Sequence, residues 1–568
     1  MKTYTISTVA LLLPALGYAV FPTPPPADAG IIEKEIERQY EARPIPPERE
    51  IPLFETDIPK EQLQIEGDVQ VYISHVEIRG STLYSDKQLQ KIVGPYVRRK
   101  LSMPQIQELC AKLQMKYVHD GYFLARVFPP VQTIDKGVLV LEILEGNLGE
   151  LIVIGNKHYS EEFIKSYLLR FQGRPIHYDQ FLRAVFLLNE NLDLTVGAVL
   201  QKGQKLGTAD VILRVSDKLP LDVYVDYNNY GSGLTSLHRS GLRVDYGNCL
   251  VSGAQLTFAE VIGFPPKDLN FTDVIYTVPL NRTGTELSLS YIYAPFHVNR
   301  FKELKLKGYS SIANIEFSQA LHRTRRLSTD ISINFSYDQI KNYAQGEISS
   351  FDKLRILQLR FDYDYTDTLR GRNIGDAYIS WGIPNFLGGL HAVDSECSRG
   401  GAGGRFLIFN LDYQRIQQLG WHSYLLLNAS GQVTPYKLPI PEQMYIGGQG
   451  TVRGYPLAAA LGDDGYYFNI ELRTPVPVPG IMNKQVPIVK KKWAEFLQLG
   501  FFFDQGQVYL NGGGENQSHH ISLMGAGLGF RVYGPFNFNF TYDLGFGLSK
   551  EKRTSTTVSY FKLSWQIL

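Results

Sequence analysis

The C-terminal three-fifths of this chain of 568 residues is dominated by an alternation of apolar and polar residues with a period of two. The alternation begins near Leu221, and clear examples are residues 287–293, 331–337, 357–365 and 536–542. Because successive side chains of a β-strand point to opposite faces, this pattern predicts strands with one apolar face, rich in Tyr and Phe, and one polar face. Such strands must cover their apolar face, which leaves a β-sandwich or a membrane β-barrel as the two architectures.

Residues 1–19 have the pattern of a secretory signal peptide. Lys2 precedes an apolar stretch at residues 9–16, and small residues offer a cleavage site after about Ala19. The alternative is a buried N-terminal helix, which the proline-rich residues 21–26 would break. We therefore expect an exported chain. No other segment has the roughly 20 consecutive apolar residues of a membrane helix, so any membrane span would consist of strands.

Three observations favour a barrel over a sandwich for residues 218–568. The chain carries an export signal, its Tyr and Phe residues are placed where membrane barrels have aromatic girdles, and the alternating region is long for one sandwich of about 100 residues. The strands must then close, because lipid cannot satisfy an open sheet edge. The 57 basic and 56 acidic residues are balanced, so we expect no nucleic-acid partner.

A helix, a linker and two α+β units are predicted between the signal peptide and the alternating region. Apolar residues recur at helical spacing within residues 30–42, whereas residues 43–70 contain five prolines among many charges and predict an extended linker. Residues 71–147 and 148–217 then repeat the order β-α-α-β-β. The first strand of the first unit is predicted over residues 71–78.

Two short motifs suggest a family. The first is a glycine-rich loop, GGQGTVRGYP, and the second is F-x-D-x-G inside a strand; together they comprise Val452, Arg453, Gly454, Tyr455, Phe502, Asp504 and Gly506. The first α+β unit adds YVHDGY at residues 117–122. With the tandem units, these motifs resemble the outer-membrane transporters of two-partner secretion, the ShlB/FhaC/HecB (TpsB) family, whose α+β units are POTRA domains.

The resemblance implies a mainly β fold, with a sixteen-stranded transmembrane barrel behind two periplasmic POTRA domains and an N-terminal helix. The loop that carries Arg453 would fold into the barrel and pair with Asp504 on the inner wall, while the helix at residues 30–42 would plug the pore. The POTRA domains would bind a secreted TpsA-type exoprotein, which would cross unfolded to the cell surface without ATP. The other implied partners are outer-membrane lipid and, during biogenesis, the barrel insertion machinery.

The residues of the second motif independently favour an inward orientation. Asp504 would be costly against lipid, so its face of the strand should line the lumen. Gly500 and Gly506 share that face and leave room for an incoming loop. Glu471 is a possible second carboxylate for Arg453, and Arg473 on the same predicted face could compete for Asp504.

The sequence contains no pattern that indicates catalysis, a cofactor or a metal ion. The chain has no H-E-x-x-H or G-x-S-x-G motif, and its three cysteines form no C-x-x-C pair. The glycines of residues 525–529 lack the G-x-G-x-x-G spacing, so we expect no nucleotide site there. Two other functions remain open at this point, namely a barrel-assembly factor and a passive porin-like channel.

Overall fold

The computed structural model describes most of the chain in twelve segments. The described residues are 28–41, 54–57, 70–264, 268–298, 305–476, 480, 482–487, 489, 491–512, 520–535, 537–549 and 557–567. The predicted signal peptide and most of the predicted linker lie outside these residues.

The N-terminal region consists of a helix, a short strand and the first α+β unit. Its elements are α1 (Ala29–Glu41), β1 (Phe54–Asp57), β2 (Gln70–Ile73), β3 (His75–Arg79), α2 (Asp86–Val93), β4 (Arg99–Ser102), α3 (Met103–His119), β5 (Arg126–Phe128) and β6 (Val138–Leu144). The strands form a three-stranded sheet in the order β3-β6-β5 and a separate β2-β4 pair. The two helices cover the sheet with buried apolar residues such as Leu89, Leu109 and Leu113.

The prediction of one strand over residues 71–78 is wrong. The chain leaves one sheet and enters the other at Ser74, because β2 pairs antiparallel with β4 while β3 pairs parallel with β6. Ser74 N–H donates to the carbonyl of Gly137 over 2.8 Å, and its hydroxyl donates to the carbonyl of Lys136 over 2.9 Å. These bonds replace the strand ladder at the break.

The second α+β unit has one four-stranded sheet. Its elements are β7 (Asn147–Ile154), α4 (Glu161–Ser166), α5 (Tyr178–Leu188), β8 (Leu194–Lys202) and β9 (Thr208–Asp217). The sheet order is β1-β8-β9-β7, with β1 parallel to β8. The prediction that residues 43–70 are only an extended linker is therefore wrong at β1, which adds a strand to this sheet.

Sixteen antiparallel strands form a closed barrel, which confirms the predicted fold class. The strands are β10 (Leu221–Asn228), β11 (His238–Gly247), β12 (Gln255–Phe264), β13 (Asn270–Pro279), β14 (Thr285–His297), β15 (Lys307–Arg323), β16 (Leu327–Ala344), β17 (Glu347–Thr366), β18 (Gly371–Gly382), β19 (Phe406–Gln418), β20 (Tyr424–Val433), β23 (Asp464–Pro475), β24 (Leu497–Tyr509), β25 (His520–Tyr533), β26 (Phe538–Gly547) and β27 (Thr557–Gln566). Pairing of β10 with β27 completes the ring. Three short elements are not part of the ring of wall strands, namely β21 (Met444–Ile446), β22 (Ala460–Gly462) and α6 (Trp493–Phe496).

The two faces of the barrel wall differ in polarity as the alternation predicts. Strand β24 shows this clearly, because Phe501 and Phe503 are 49% and 37% exposed on the outside while Phe502 and Asp504 are buried inside. Among the helices that the structure describes, none combines the length and apolar character required for a membrane span.

The second α+β unit docks against one end of the barrel, which we call the proximal end. Arg183 of α5 donates to the carbonyls of Ala320 and Thr283 over 2.5 and 3.0 Å, and Glu190 accepts from Arg323 over 2.5 Å. The unit therefore contacts the β13–β14 turn and the end of β15. The opposite, distal end carries the longer loops.

Candidate functional site

The loop between β20 and β23 folds back into the barrel lumen as a hairpin. We call residues 444–462 the lumen hairpin: β21 and β22 pair antiparallel, with Ile446 opposite Ala460. Ile446 and Val452 are fully buried against the wall residues Val508 and Leu523. Apolar contacts with the inner wall thus hold the lumen hairpin, which enters the barrel from the distal end.

Glycines give the lumen hairpin its turns. Gly447 and Gly448 both have φ of 105°, in the region that side chains disfavour. Gly447 N–H donates to the hydroxyl of Thr451 over 2.8 Å. These bends bring Arg453, six residues after Gly447, to the inner wall.

Arg453 binds Asp504 through three hydrogen bonds. Its Nε and Nη2 donate to the two carboxylate oxygens over 2.8 and 2.9 Å, and its backbone N–H donates to Oδ2 over 3.0 Å. Asp504 is fully buried and Arg453 is 4% exposed. The structure therefore brings the arginine of the first motif and the carboxylate of the second into a two-pronged, charge-assisted contact.

Glu471 shares the Arg453 guanidinium. Nη1 of Arg453 donates to Glu471 Oε2 over 2.8 Å, while the other Glu471 oxygen accepts from Arg473 over 2.6 Å and from Arg531 over 2.9 Å. Arg473 thus contacts Glu471 here, and the alternative in which it competes for Asp504 is not the arrangement found.

Asp543 completes a network of three basic and three acidic side chains. Arg531 Nη1 donates to Asp543 Oδ1 over 2.7 Å, and Arg453 Nη1 lies 3.7 Å from Asp543 Oδ2. Two charges 4 Å apart attract by about 4 kcal/mol at an effective dielectric of 20, but burial costs each ion part of its hydration. We therefore predict that the network affects the position of the hairpin more than the stability of the barrel.

The neighbours of Arg453 in its motif also contact the wall. The guanidinium carbon lies 3.5 Å from the centre of the Phe502 ring, a cation–π contact. A methyl group on Gly506 would lie 3.1 Å from both Ile446 and Val452, so the glycine keeps this contact close. Gly500 faces Glu471 and Arg531 instead, so the prediction that it makes room for the loop is wrong.

Gly454 and Tyr455 connect the hairpin to the last strands of the barrel. Gly454 has φ of 96°, and a methyl group there would lie 2.6 Å from the backbone of β26 at Gly547. The Tyr560 hydroxyl donates to the carbonyl of Tyr455 over 2.7 Å. The Tyr455 hydroxyl in turn donates to the carbonyl of Met524 over 3.0 Å.

Sequence analysis missed the contributions of β25 and β26. Asp543 and Arg531 complete the ion network, and Gly525 and Gly545 lie directly beneath the backbone of Arg453 and Gly454. One signal was present: glycines 525, 527 and 529 share one phase of their strand. Their spacing is not that of a nucleotide site, but in a wall strand they permit close approach of another backbone.

Helix α1 lies inside the same lumen. Ile32 and Ile36 pack in a cluster with Phe271, Phe296 and Ile340 of the wall. Two of its charged side chains form ion pairs. Glu35 accepts from Arg239 over 2.7 Å with both side chains buried, and Lys34 donates to Glu442 over 2.9 Å. Asn342 bonds the helix start, donating to Asp28 Oδ2 over 2.7 Å.

The YVHDGY motif lies far from the lumen, at the end of α3. Asp120 accepts from the Tyr84 hydroxyl over 2.5 Å and pairs with Lys116, and these hydrogen bonds hold the pKa of its carboxyl well below the ordinary value. Gly121 has φ of 91°, and its carbonyl accepts from Tyr178 N–H over 2.9 Å. The motif therefore joins the first α+β unit to the second. In the described part of the chain, no group of three or more His, Cys, Asp or Glu side chains is arranged to hold a metal ion.

Comparison with known proteins identifies the family. Residues 207–532 match the haemolysin secretion/activation protein family ShlB/FhaC/HecB, and residues 71–146 match the ShlB-type POTRA domain. The chain belongs to the ShlB/FhaC/HecB family. The function predicted from the motifs, an outer-membrane transporter of two-partner secretion, is thereby confirmed. The α+β units are its POTRA domains and lie in the periplasm, so the proximal end is the periplasmic end.

Individual members of the ShlB/FhaC/HecB family are distant in sequence but similar in length. HuxB, a heme/hemopexin transporter protein of Haemophilus influenzae, is 21% identical over 464 residues, covering 80% of this chain and 79% of HuxB. The hemolysin transporter protein HpmB of Proteus mirabilis is 22% identical and covers 71% and 72%. The solved structure of CdiB from Escherichia coli has a TM-score of 0.72 and 17% identity, covering 89% of this chain and 92% of CdiB.

Proposed function

We propose that this transporter takes one large, unfolded TpsA-type exoprotein, adhesin-like or haemolysin-like, from the periplasm. The cargo binds the POTRA domains and crosses the barrel lumen to the cell surface without ATP. Folding of the cargo outside the cell provides the driving force. The observation that supports the proposal is the clamp of Arg453 on Asp504 and Glu471, which holds the lumen hairpin against the inner wall. A passive pore has no need of a buried network of six charged side chains that holds a loop against the inner wall.

The proposal assigns α1 the role of a resting plug. Glu35 and Lys34 meet charges of opposite sign on the wall and near the hairpin, at Arg239 and Glu442. Because these groups can be hydrated once the helix leaves, they favour a reversible insertion over a permanent core contact. Lys34 and Glu442 also couple α1 to the segment that precedes the lumen hairpin, so departure of the plug would loosen the hairpin.

Cargo recognition is proposed to occur by strand addition to a POTRA sheet. The chain's own β1 occupies the β8 edge of the second POTRA sheet in parallel, with Phe54 opposite Ala198 and Asp57 opposite Gln201. Backbone bonds give such an edge affinity for an extended segment of any sequence, and neighbouring side chains give specificity. An extended cargo strand would take the place of β1.

The proposed partners also include lipid and the barrel insertion machinery. Outward residues such as Leu359 and Phe361 form the apolar band that a bilayer would surround. A closed barrel of this size has no soluble route into the membrane, so insertion would depend on assistance during biogenesis.

A secretion assay tests the proposal. Release of the large exported protein encoded beside this one would be compared for the wild type, Arg453→Ala, Asp504→Ala and a deletion of both POTRA domains. We expect at least tenfold less release from each variant. Arg372→Ala is the matched control, because it removes an inner-wall ion pair, with Asp364 at 2.6 Å, away from the hairpin.

Heat-modifiable migration of the barrel would show that each variant is folded. Normal release from all three variants would refute the proposed mechanism. If the variants released cargo normally but reduced the amount of other β-barrel proteins inserted in the outer membrane, the chain would instead be assigned to barrel assembly.

A further inference from the structure

Two arginines occupy the tip of the β15–β16 turn at the periplasmic rim of the barrel. Arg325 and Arg326 are the central residues of a tight hairpin, in which Thr324 N–H donates to the Leu327 carbonyl over 2.8 Å. Both side chains are exposed, and neither guanidinium forms a hydrogen bond or an ion pair with another described residue. Their neighbour Arg323 differs, because it is bound by Glu190 and Asp330 at 2.5 and 2.6 Å.

The level of this turn in the membrane follows from the register of β16 and β17. Leu327, directly after the arginines, pairs with Tyr365, and Thr366 N–H donates to the Arg326 carbonyl over 2.8 Å. Tyr365 is 41% exposed in the same outward phase as Phe361. Aromatic residues at the end of a lipid-facing band mark the headgroup region. The two arginines, one step beyond Tyr365, therefore lie at the level of the phosphates of the periplasmic leaflet.

A cleft separates this turn from the second POTRA domain. It has a volume of ≈ 270 Å³ and lies between the arginine turn and the start of α5, where Tyr178 and Leu182 supply an apolar wall. Asp179 also lines the cleft, so one carboxylate stands among the arginines. Beside it, at the bulge near the end of β15, Leu321 is 37% exposed. An apolar wall, an exposed aliphatic face and two free guanidinium groups thus meet at one place.

We propose that Arg325 and Arg326 bind the phosphate of an anionic phospholipid from the periplasmic leaflet, with the lipid held in the cleft between the β15–β16 turn and α5. The planar guanidinium fork matches a phosphate, and basic residues beside the bilayer gain from the negative surface of anionic lipids. Such a lipid would bridge the barrel and the second POTRA domain. The site deepens the proposed lipid contact but needs no assumption about cargo.

An acidic segment of the exported cargo is the other anionic ligand that fits two arginines. The position of the turn favours lipid, because the guanidinium groups lie level with the headgroups and beside the exposed Leu321. The acyl chains of a phospholipid can also pack against the apolar wall of Tyr178 and Leu182, whereas an acidic segment would leave that wall exposed to water.

Lipid titration of the full chain in detergent, followed by native mass spectrometry, tests the proposal. Short-chain phosphatidylglycerol, short-chain phosphatidylcholine and inorganic phosphate are the three probes. We expect preferential binding of phosphatidylglycerol, about fivefold weaker in Arg325→Gln and in Arg326→Gln and weaker still in the double variant. Asp179→Asn removes the competing carboxylate and should strengthen binding.

Arg370→Gln is the matched control, because Arg370 is an exposed arginine at the next periplasmic turn, outside the cleft. An equal loss of binding in Arg370→Gln would overturn the site in favour of general rim charge. Displacement of phosphatidylglycerol by millimolar inorganic phosphate would overturn it in favour of a free-anion site. Lower cargo release from the double variant, with unchanged lipid binding, would overturn it in favour of an acidic cargo segment.

Discussion

At the scale of single residues, the lumen hairpin depends on positions that lack a side chain as much as on its charges. A methyl group on Gly545 would lie 2.6 Å from the backbone nitrogen of Gly454 and 3.0 Å from the carbonyl carbon of Arg453. The hairpin lies so close to β26 that only glycine fits at position 545. The charge network and the glycines therefore act together, since displacement of the backbone would also move the Arg453 guanidinium.

We predict that Gly545→Ala lowers cargo release about as much as Arg453→Ala. An added methyl group in a packed site costs roughly 1–3 kcal/mol. In the variant, the hairpin would relieve this cost by moving away from the wall. Gly431→Ala is the control, because a methyl group there would meet only the carbonyl of Gly465 at 3.8 Å. Cargo release measured beside heat-modifiable migration separates a displaced hairpin from an unfolded barrel. Wild-type release from Gly545→Ala would show that the approach to β26 is unimportant for transport.

The buried thiol of Cys110 gives a prediction about pH. Burial in α3 of the first POTRA domain raises the pKa of Cys110 from 9.0 to about 12. The reactive thiolate is therefore scarcer by about three orders of magnitude at pH 8, and alkylation should accelerate about tenfold per pH unit until the pH approaches that pKa. Peptide mass spectrometry after iodoacetamide treatment measures this profile. The partly exposed Cys249 is the internal control, and rapid labelling of Cys110 at pH 8 would contradict the described packing of α3.

The sequence predicts the central pair of the site better than its surroundings. Arg453 and Asp504 stand in recognisable motifs, and the strand alternation already turns Asp504 inward. Asp543 and Arg531 have the same inward phase in their own strands, but nothing local indicates that the barrel register brings them to Arg453. The β1 strand was missed for a similar reason, because its partner β8 is about 140 residues away and composition alone indicated a linker.

At the scale of elements, α1 is held in the lumen by a few charged contacts that can be removed one at a time. Arg239 is fully buried, and Nη1 is its only nitrogen with a hydrogen-bond partner among the described residues. Loss of one member of a buried ion pair strands the other, which typically costs 3–5 kcal/mol. The balance between seated and released helix should therefore respond strongly to this pair.

We predict that Arg239→Gln and Glu35→Gln each raise the open probability of single channels in planar bilayers by at least tenfold. The double variant should open less often than Glu35→Gln alone, because the buried Arg239 charge is then absent as well. Arg243→Gln is the matched control, since Arg243 lies on the same strand but bonds Asp245 at 2.9 Å. Open probabilities equal to that of the wild type in both single variants would exclude this pair as a restraint on α1.

Strand β1 gives a second prediction at this scale. A disulfide between Asp57→Cys and Gln201→Cys, which are register partners in β1 and β8, would lock β1 onto the POTRA edge. We expect cargo release to fall at least tenfold under oxidising conditions and to recover with a reductant. The single cysteine variants control for the substitutions themselves. Undiminished release from the oxidised double variant would show that cargo does not need this edge.

At the scale of the whole molecule, the second POTRA domain and the barrel form one docked body through α5. Arg183 donates to the carbonyls of Thr283 in the β13–β14 turn and of Ala320 near the end of β15, while the Arg282 guanidinium lies 4.6 Å from the centre of the Phe163 ring. A guanidinium that bonds several carbonyls constrains orientation, because its donors have fixed directions. Cargo released from the second POTRA domain would thus meet the barrel mouth in a defined orientation.

We predict that Arg183→Gln loosens this docking without unfolding either part. The distribution of distances between a spin label on the second POTRA domain and one on the barrel should broaden, while heat-modifiable migration stays unchanged. Lys205→Gln, an exposed change in the same domain, is the control. A distribution as narrow as that of the wild type would indicate that the remaining contacts suffice.

The charge of α1 has an electrical consequence. Residues 28–41 contain five acidic and two basic residues, so a released helix carries a net charge of −3 out of the lumen. Arg239 would then face water and mobile ions instead of Glu35. Permeation through the vacated conduit should therefore shift toward anions, so a reversal potential measured in a salt gradient would report whether the helix has departed.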